Sequence, residues 1–132
     1  MVIDSSALVA ILLREPEEAA FRAAILASTT RLIGTPSYLE TAMVLIGRFG
    51  PASRSALDRL IAVLHGEMVA FSAAQARIAI DAFVRFGKGR RHPAGLNFGD
   101  CCSYALAREM NEPLLFKGTD FAATDIQPAL VP

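Results

Sequence analysis

The chain has 132 residues, 53% of them hydrophobic, and its 13 basic and 13 acidic side chains leave no net charge. A length of 132 residues fits a single domain over 1–132, with a core burying about two-thirds of the surface that the unfolded chain exposes. Bulk charge therefore names no partner, and any electrostatic signal must lie in how the charges are distributed.

Mean hydropathy is high at +0.39, but the apolar residues fall in short runs such as Ala7–Leu13. These are far below the roughly 20 residues that a membrane span needs. Asp4 interrupts the opening apolar residues, and no basic-then-apolar leader precedes it. The expectation is a cytoplasmic protein without a membrane segment. Cys101 and Cys102 are adjacent; side chains of helical neighbours point about 100° apart and cannot form an ordinary disulfide. They read as small core-facing side chains in a reducing compartment.

Val2 and Ile3 form a short buried strand with Asp4 at its tip, and Ser5-Ser6 then precede an apolar helix over Ala7–Leu13. At that tip Asp4 is either a helix cap or a site residue. Pro16 opens a second helix that continues through Glu17, Glu18, Phe21, Ile25 and Leu26. Arg31–Thr35 is a second strand, and Thr35 or Ser37 caps a helix whose buried stripe is Leu39, Ala42, Met43, Ile46 and Phe49. Glu40 stands in its first turn, where Ser37-x-x-Glu40 also matches a capping box. After Gly50-Pro51 a helix over Ala52–Leu64 carries Leu57, Leu60, Ile61 and Leu64 and stops at His65-Gly66.

Met68–Phe71 is the third strand, and a helix follows from Ser72 or Ala73 to Phe86. Gly87–Gly95 is a clear loop concentrating Lys88, Arg90, Arg91 and His92, either as solvated charge or as a phosphate-binding surface. Asn97 is a fit N-cap for the next helix, with Asp100 in its first turn and Cys102, Ala105, Leu106 and Met110 as its buried stripe. Leu114–Lys117 is the fourth strand, and Gly118-Thr119-Asp120-Phe121 leaves its end. Ile126-Gln127 reads as a fifth strand, and Ala129–Val131 as a tail packed on the body.

Strands alternating with helices imply right-handed βαβ units in an α/β fold with a mostly parallel four- to five-stranded sheet. Strand tips and the helix starts that follow them then share one edge. Asp4, Glu40, Asp100 and Asp120 each open a helix or turn after a strand-like or loop segment, so one acidic site accounts for all four. Four packed carboxylates cannot all ionise without a cation. All-oxygen ligation suits Mg²⁺ or Mn²⁺, which can lower the pKa of bound water and neutralise charge on a phosphoryl oxygen. Setting these four aside leaves nine acids against 13 bases. An acidic pit in mildly basic surroundings suits a nucleic-acid backbone.

The segments MVIDSSAL, the helix-borne Glu40, NFGDCCSYALA and LLFKGTDF resemble the PIN domain, specifically the VapC-type toxins of bacterial toxin–antitoxin pairs. The resemblance spans the whole chain in order. It implies a three-layer α/β/α sandwich and a metal-dependent endoribonuclease cleaving RNA phosphodiester bonds. The family's acids map onto Asp4, Glu40, Asp100 and Asp120, with Asp4 and Asp100 as metal ligands for Mg²⁺ or Mn²⁺. Glu40 then binds metal or orients water, and Asp120 acts through water or a second metal. Ser6, Asn97 and Thr119 are the supporting residues, Ser6 either bonding a carboxylate or capping a helix. Thr119 departs from the acid or asparagine that relatives often carry there, and Asp125 is a reserve for the Asp120 role.

Lys88, Arg90 and Arg91 precede the segment carrying Asp100 and are the expected RNA phosphate contacts. The resemblance further implies a homodimer and a small VapB-like antitoxin that masks the groove. The apolar run Ala7–Leu13, with Phe21, Ile25 and Leu26, is the expected partner surface. Three other readings compete: a PIN fold kept as a non-catalytic binding module, a phosphorelay receiver using Lys117, and a haloacid-dehalogenase-type phosphatase. The receiver lacks an acid after the third strand, where Ser72-Ala73-Ala74 stands; the phosphatase lacks a second acid at position 6, where Ser6 stands.

Overall fold

Parallel pairing starts at the second residue of the chain. The structure, a computed structural model, describes residues 1–130. Its elements are β1 (Val2–Ile3), α1 (Ser5–Leu12), α2 (Glu18–Ala27), β2 (Leu32–Gly34), α3 (Thr35–Phe49), α4 (Arg54–Val63), β3 (Glu67–Val69), α5 (Ala73–Phe86), α6 (Phe98–Met110) and β4 (Leu114–Leu115). Short 3₁₀ turns cover Pro51–Ser53 and Asp120–Ala123. The strands run β3-β2-β1-β4 and every pair is parallel.

Two-residue periodicity sorts the strand side chains onto two faces. Val2 pairs with both Leu32 and Leu114, and all three enter one core with Phe86, Leu96, Tyr104 and Leu106 from the α5–α6 side. Ile3, Ile33 and Leu115 point the other way, into a core with Leu8, Ile11, Ile25, Leu45 and Leu57 from α1 to α4. This is the expected three-layer α/β/α sandwich. Because strand tips share one edge, the residues after β1 and β4 and the start of α3 after β2 stand side by side.

Several expectations shift. The sheet has four strands among the described residues: Ile126-Gln127 forms no strand, and the chain touches β4 through a single parallel bridge between Leu114 and Pro128. Leu114 N donates to Gln127 O (2.9 Å) and Ala129 N to Leu114 O (2.8 Å). Ala129 packs against the core, whereas Val131 lies outside the described residues.

Apart from Ala42, the expected stripe of α3 faces outward. Leu39, Met43, Ile46 and Phe49 are exposed, and the buried face is Ser37, Thr41, Ala42 and Leu45. Periodicity alone favoured the larger apolar set, but α6 packs on α3 through small and hydroxyl side chains. Conversely, most of the expected partner run is buried: Ala7, Leu8, Ala10 and Ile11 of α1, with Phe21 and Ile25 of α2, while Val9, Leu12 and Leu13 are half-buried and Leu26 is exposed. What α1 and α2 leave for a partner is Leu26 together with the half-buried Val9, Leu12 and Leu13. On α6 the stripe is too narrow, since all of Cys101–Ala107 is buried while Met110 is 40% exposed. That helix runs through the middle of the molecule.

Candidate active site

Asp4 ends β1 and caps α1 at once. Its N–H continues the sheet by donating to Leu115 O (2.9 Å), and its carbonyl accepts from Ala7 N and Leu8 N. The side chain is only 3% exposed. Burial of a carboxylate is costly unless hydrogen bonds replace water, and here three do. Ser6 N (2.9 Å) and Ser6 Oγ (2.5 Å) donate to Oδ2, and Ser103 Oγ (2.6 Å) donates to Oδ1. Ser6 Oγ in turn accepts from Lys117 N (2.9 Å), fastening the end of β4 to the same carboxylate. The cap of α1 is Asp4, so Ser6 acts as the carboxylate support of the two roles open to it.

Asp100 arrives on the first turn of α6. Asn97 Oδ1 accepts from Asp100 N and Asp100 Oδ2 accepts from Asn97 N, both at 2.9 Å, which makes a complete capping box. Burial pushes the Asp100 carboxyl from 3.8 up to about 6; the Asn97 N–H bond opposes the rise, and the charges of Asp4, Asp120 and Glu40 add to it. Glu40 is likewise raised, first by burial and then by Asp4, with a Ser5 hydrogen bond acting the other way. The capping box expected at Ser37–Glu40 does not form: Gly34 occupies the N-cap of α3 without a side-chain bond, and Ser37 turns inward to Ser103 (3.1 Å). Glu40 is thereby left to the site.

Gly99 explains how Glu40 and Asp100 come together. A Cβ on Gly99 would stand 3.1 Å from Glu40 Cδ and closer still to its carboxylate oxygen. Only a residue without a side chain lets the α3 carboxylate rest against the first turn of α6. Asp120 opens the 3₁₀ turn after β4 and is exposed, at a distance where its charge still acts on Asp100. The four acids read from the sequence thus share one edge. Thr119 beside Asp120 is exposed and, among the described residues, makes no side-chain hydrogen bond.

Other candidates fall away from this site. Asp125 accepts from Tyr104 OH (2.7 Å) and pairs with Arg85 (2.9 Å), so it does not substitute for Asp120. His92 packs edge-on against Phe86 and accepts from Ala94 N, and His65 terminates α4 at φ 51°. Burial pushes both cysteine thiols up to about 11, which leaves no thiolate nucleophile near neutral pH. Lys117 Nζ is held by Glu15 (2.6 Å) and Glu17 (3.1 Å) rather than turned to the acids.

Lys88, Arg90 and Arg91 are exposed and unpaired among the described residues. Lys88 N to Leu96 O and Leu96 N to Phe86 O, both at 2.9 Å, close the base of their loop one residue before the Asn97 cap.

The chain matches the PIN domain family model over residues 1–127. Ribonuclease VapC30 of Mycobacterium tuberculosis is 50% identical over 132 residues, covering 100% of both chains. Ribonuclease VapC of Mycolicibacterium smegmatis is 49% identical over 126 residues, 96% of this chain and 97% of that one. The chain belongs to the PIN-domain family.

Among solved structures, the sarcin-ricin loop cleaving toxin VapC20 of M. tuberculosis superposes with TM-score 0.77 at 17% identity, covering 99% of this PIN domain and 98% of that chain. A toxin–antitoxin complex from Klebsiella pneumoniae gives TM-score 0.69 at 17% identity, covering 99% and 95%. These two likenesses concern the fold. Family membership removes the receiver and phosphatase readings.

The donor set fits a hard divalent cation. All four side chains are carboxylates, and Asp100 is raised first by burial and then by the charges of the other three. Among the described residues no three acidic, histidine or cysteine side chains are already grouped closely enough to hold a metal ion. Sequence reading missed Ser103, Ser37, Ser5 and Gly99. The available signal was position, since Ser103 follows Asp100 by one helical turn and so shares its side of α6.

Proposed function

We propose that this PIN domain is a VapC-type toxin, a Mg²⁺- or Mn²⁺-dependent endoribonuclease acting in the cytoplasm. The observation that carries the reading is placement: Asp4 at the tip of β1, Glu40 resting against Gly99 beside Asp100 at the start of α6, and Asp120 opening the turn after β4. Kinship with whole-length VapC ribonucleases supports the substrate class. Asp4 and Asp100 would hold the ion. When bound, it supplies Lewis-acid stabilisation of the phosphoryl oxygens and lowers the pKa of a water nucleophile. Glu40, raised above its ordinary range, is suited to orienting that water and taking its proton. The N-terminus of α6 keeps part of its positive dipole directed at the Asp100 end of the site. Lys88, Arg90 and Arg91 would hold RNA phosphates without reading bases.

The partners follow from exposed surface. Leu39 and Met43 of α3 join Phe98, which is 79% exposed, and Phe98 continues onto Ile80, Phe83 and Val84 of α5. A contiguous apolar face of this kind marks an interface, here assigned to a second copy of the chain. A VapB-like antitoxin would cover the acidic edge and mask it.

RNase-free protein incubated with RNA in EDTA, Mg²⁺ or Mn²⁺ tests the activity. Cleavage is expected only with metal, and equal cleavage in EDTA contradicts the reading. Light scattering is expected to give twice the 14.1 kDa chain mass, and co-expression with the adjacent small reading frame to relieve toxicity.

A further inference from the structure

Two hydroxyls lie beneath the acids and belong to no part of the proposed chemistry. Ser37 is 3% exposed and Ser103 2%, and their Oγ atoms are 3.1 Å apart. Ser103 Oγ is also 2.6 Å from Asp4 Oδ1. An ionised carboxylate only accepts, so the Ser103 proton goes to Asp4 and the Ser37 proton to Ser103. The result is a one-way relay, Ser37 to Ser103 to Asp4.

Its placement is specific. Ser37 precedes Glu40 by three residues on α3, and Ser103 follows Asp100 by three on α6. Residues three apart on a helix are neighbours, so each hydroxyl sits one turn from an acid. The relay ends on a third acid at the tip of β1. It joins the three elements that carry Asp4, Glu40 and Asp100.

The same bonds decide which oxygen of Asp4 is free. Oδ2 accepts two hydrogen bonds, from Ser6 N and Ser6 Oγ, which uses both its lone pairs. Oδ1 accepts one, from Ser103, and keeps one. We infer that the buried Ser37–Ser103 pair is the positioning device of the acidic site, aiming Asp4 so that Oδ1 alone is presented to the divalent cation. This rests on the metal-dependent reading above. Ser103 touches neither metal nor substrate; it acts through Asp4, as partners behind a metal ligand do.

The test is Mn²⁺ binding to the metal-free full chain at fixed pH, by calorimetry, for the parent, Ser103→Ala, Ser103→Cys and Ser103→Thr, with a thermal melt of each. Loss of such a partner weakens metal binding about 10- to 100-fold. That loss is expected for Ser103→Ala and, with the packing volume kept, for Ser103→Cys, while Ser103→Thr restores binding by returning the hydroxyl. Cleavage by Ser103→Ala should recover at saturating Mn²⁺, because the ligand remains and only its aim is lost. Ser37→Ala, which leaves the bond to Asp4, should weaken binding less than Ser103→Ala. A parent that binds Mn²⁺ while Ser103→Ala and Ser103→Cys bind it equally well overturns the inference and leaves the metal reading standing, whatever the melts show. A parent that binds no Mn²⁺ overturns both.

Discussion

Asp100→Asn separates the cost of assembling the acids from their use. In the metal-free protein the Asp100 carboxyl rises from 3.8 to about 6, first through burial and then through Asp4, Asp120 and Glu40. An acid raised by folding keeps its proton in the native state at pH values where the unfolded chain has released it. Stability is therefore full below pH 3.8, falls as pH climbs to about 6, and stays low above that. For a fully shielded group this rise corresponds to about 3 kcal/mol. Asp100 is half-buried, and solvent screening reduces that to about 1–2 kcal/mol. Losing the favourable charge at the start of α6 offsets about 0.3–1 kcal/mol of the relief.

The asparagine oxygen can still accept from Asn97 N, so the capping box survives. Above pH 7 in EDTA the variant should be more stable than the parent by about 1 kcal/mol, near 3–5 °C in Tm for a chain of this size. At pH 4 the two should melt together. Metal at about 100 times its Kd adds about 2.7 kcal/mol to the parent and little to the variant, reversing their order. Thermal melts at pH 4, 6 and 8, with EDTA and with Mn²⁺, read all of this. A variant that melts below the parent at pH 8 in EDTA, or by the same margin at pH 4 and pH 8, refutes the reasoning.

The remaining predictions concern neighbours of the site. Gly99→Ala should reduce cleavage at least tenfold by displacing the Glu40 carboxylate, while a melt shows stability unchanged or slightly raised, since alanine exceeds glycine in helix propensity by up to about 1 kcal/mol. Arg90→Ala with Arg91→Ala should weaken RNA binding and lower the slope of log K against log salt by about two, leaving Mn²⁺ affinity intact; an unchanged slope returns the loop to solvated charge. Asp125→Ala should leave cleavage unaltered and cost about 1 kcal/mol through the lost bond with Tyr104, read by urea denaturation.

The strand–helix alternation and the four acids were legible because each depends on local pattern: β-branched pairs, cap residues and helix starts. The α3 face was not legible. Leu39, Met43, Ile46 and Phe49 have helical spacing, but spacing does not tell which face of a helix is buried, and these four are exposed. Glu40 was ambiguous for a related reason. Ser37-x-x-Glu40 fits a capping box, and only the approach of α6 through Gly99 and Ser103 shows that both side chains face inward. The expected fifth strand shrinks to a single bridge between Leu114 and Pro128, because the chain touches β4 there without continuing alongside it. Ser103 was hidden because a serine in an apolar helix announces no partner until the fold brings Asp4 within 2.6 Å.

The central claim is that Asp4 and its three companion acids carry metal-dependent cleavage of RNA. Single-turnover cleavage by the parent and by Asp4→Asn, prepared identically and RNase-free at saturating Mn²⁺, measures it directly. Removing a ligand charge that supports several kcal/mol of transition-state stabilisation should slow cleavage by about 10²- to 10⁴-fold. Equal rates for Asp4→Asn and the parent would contradict the account.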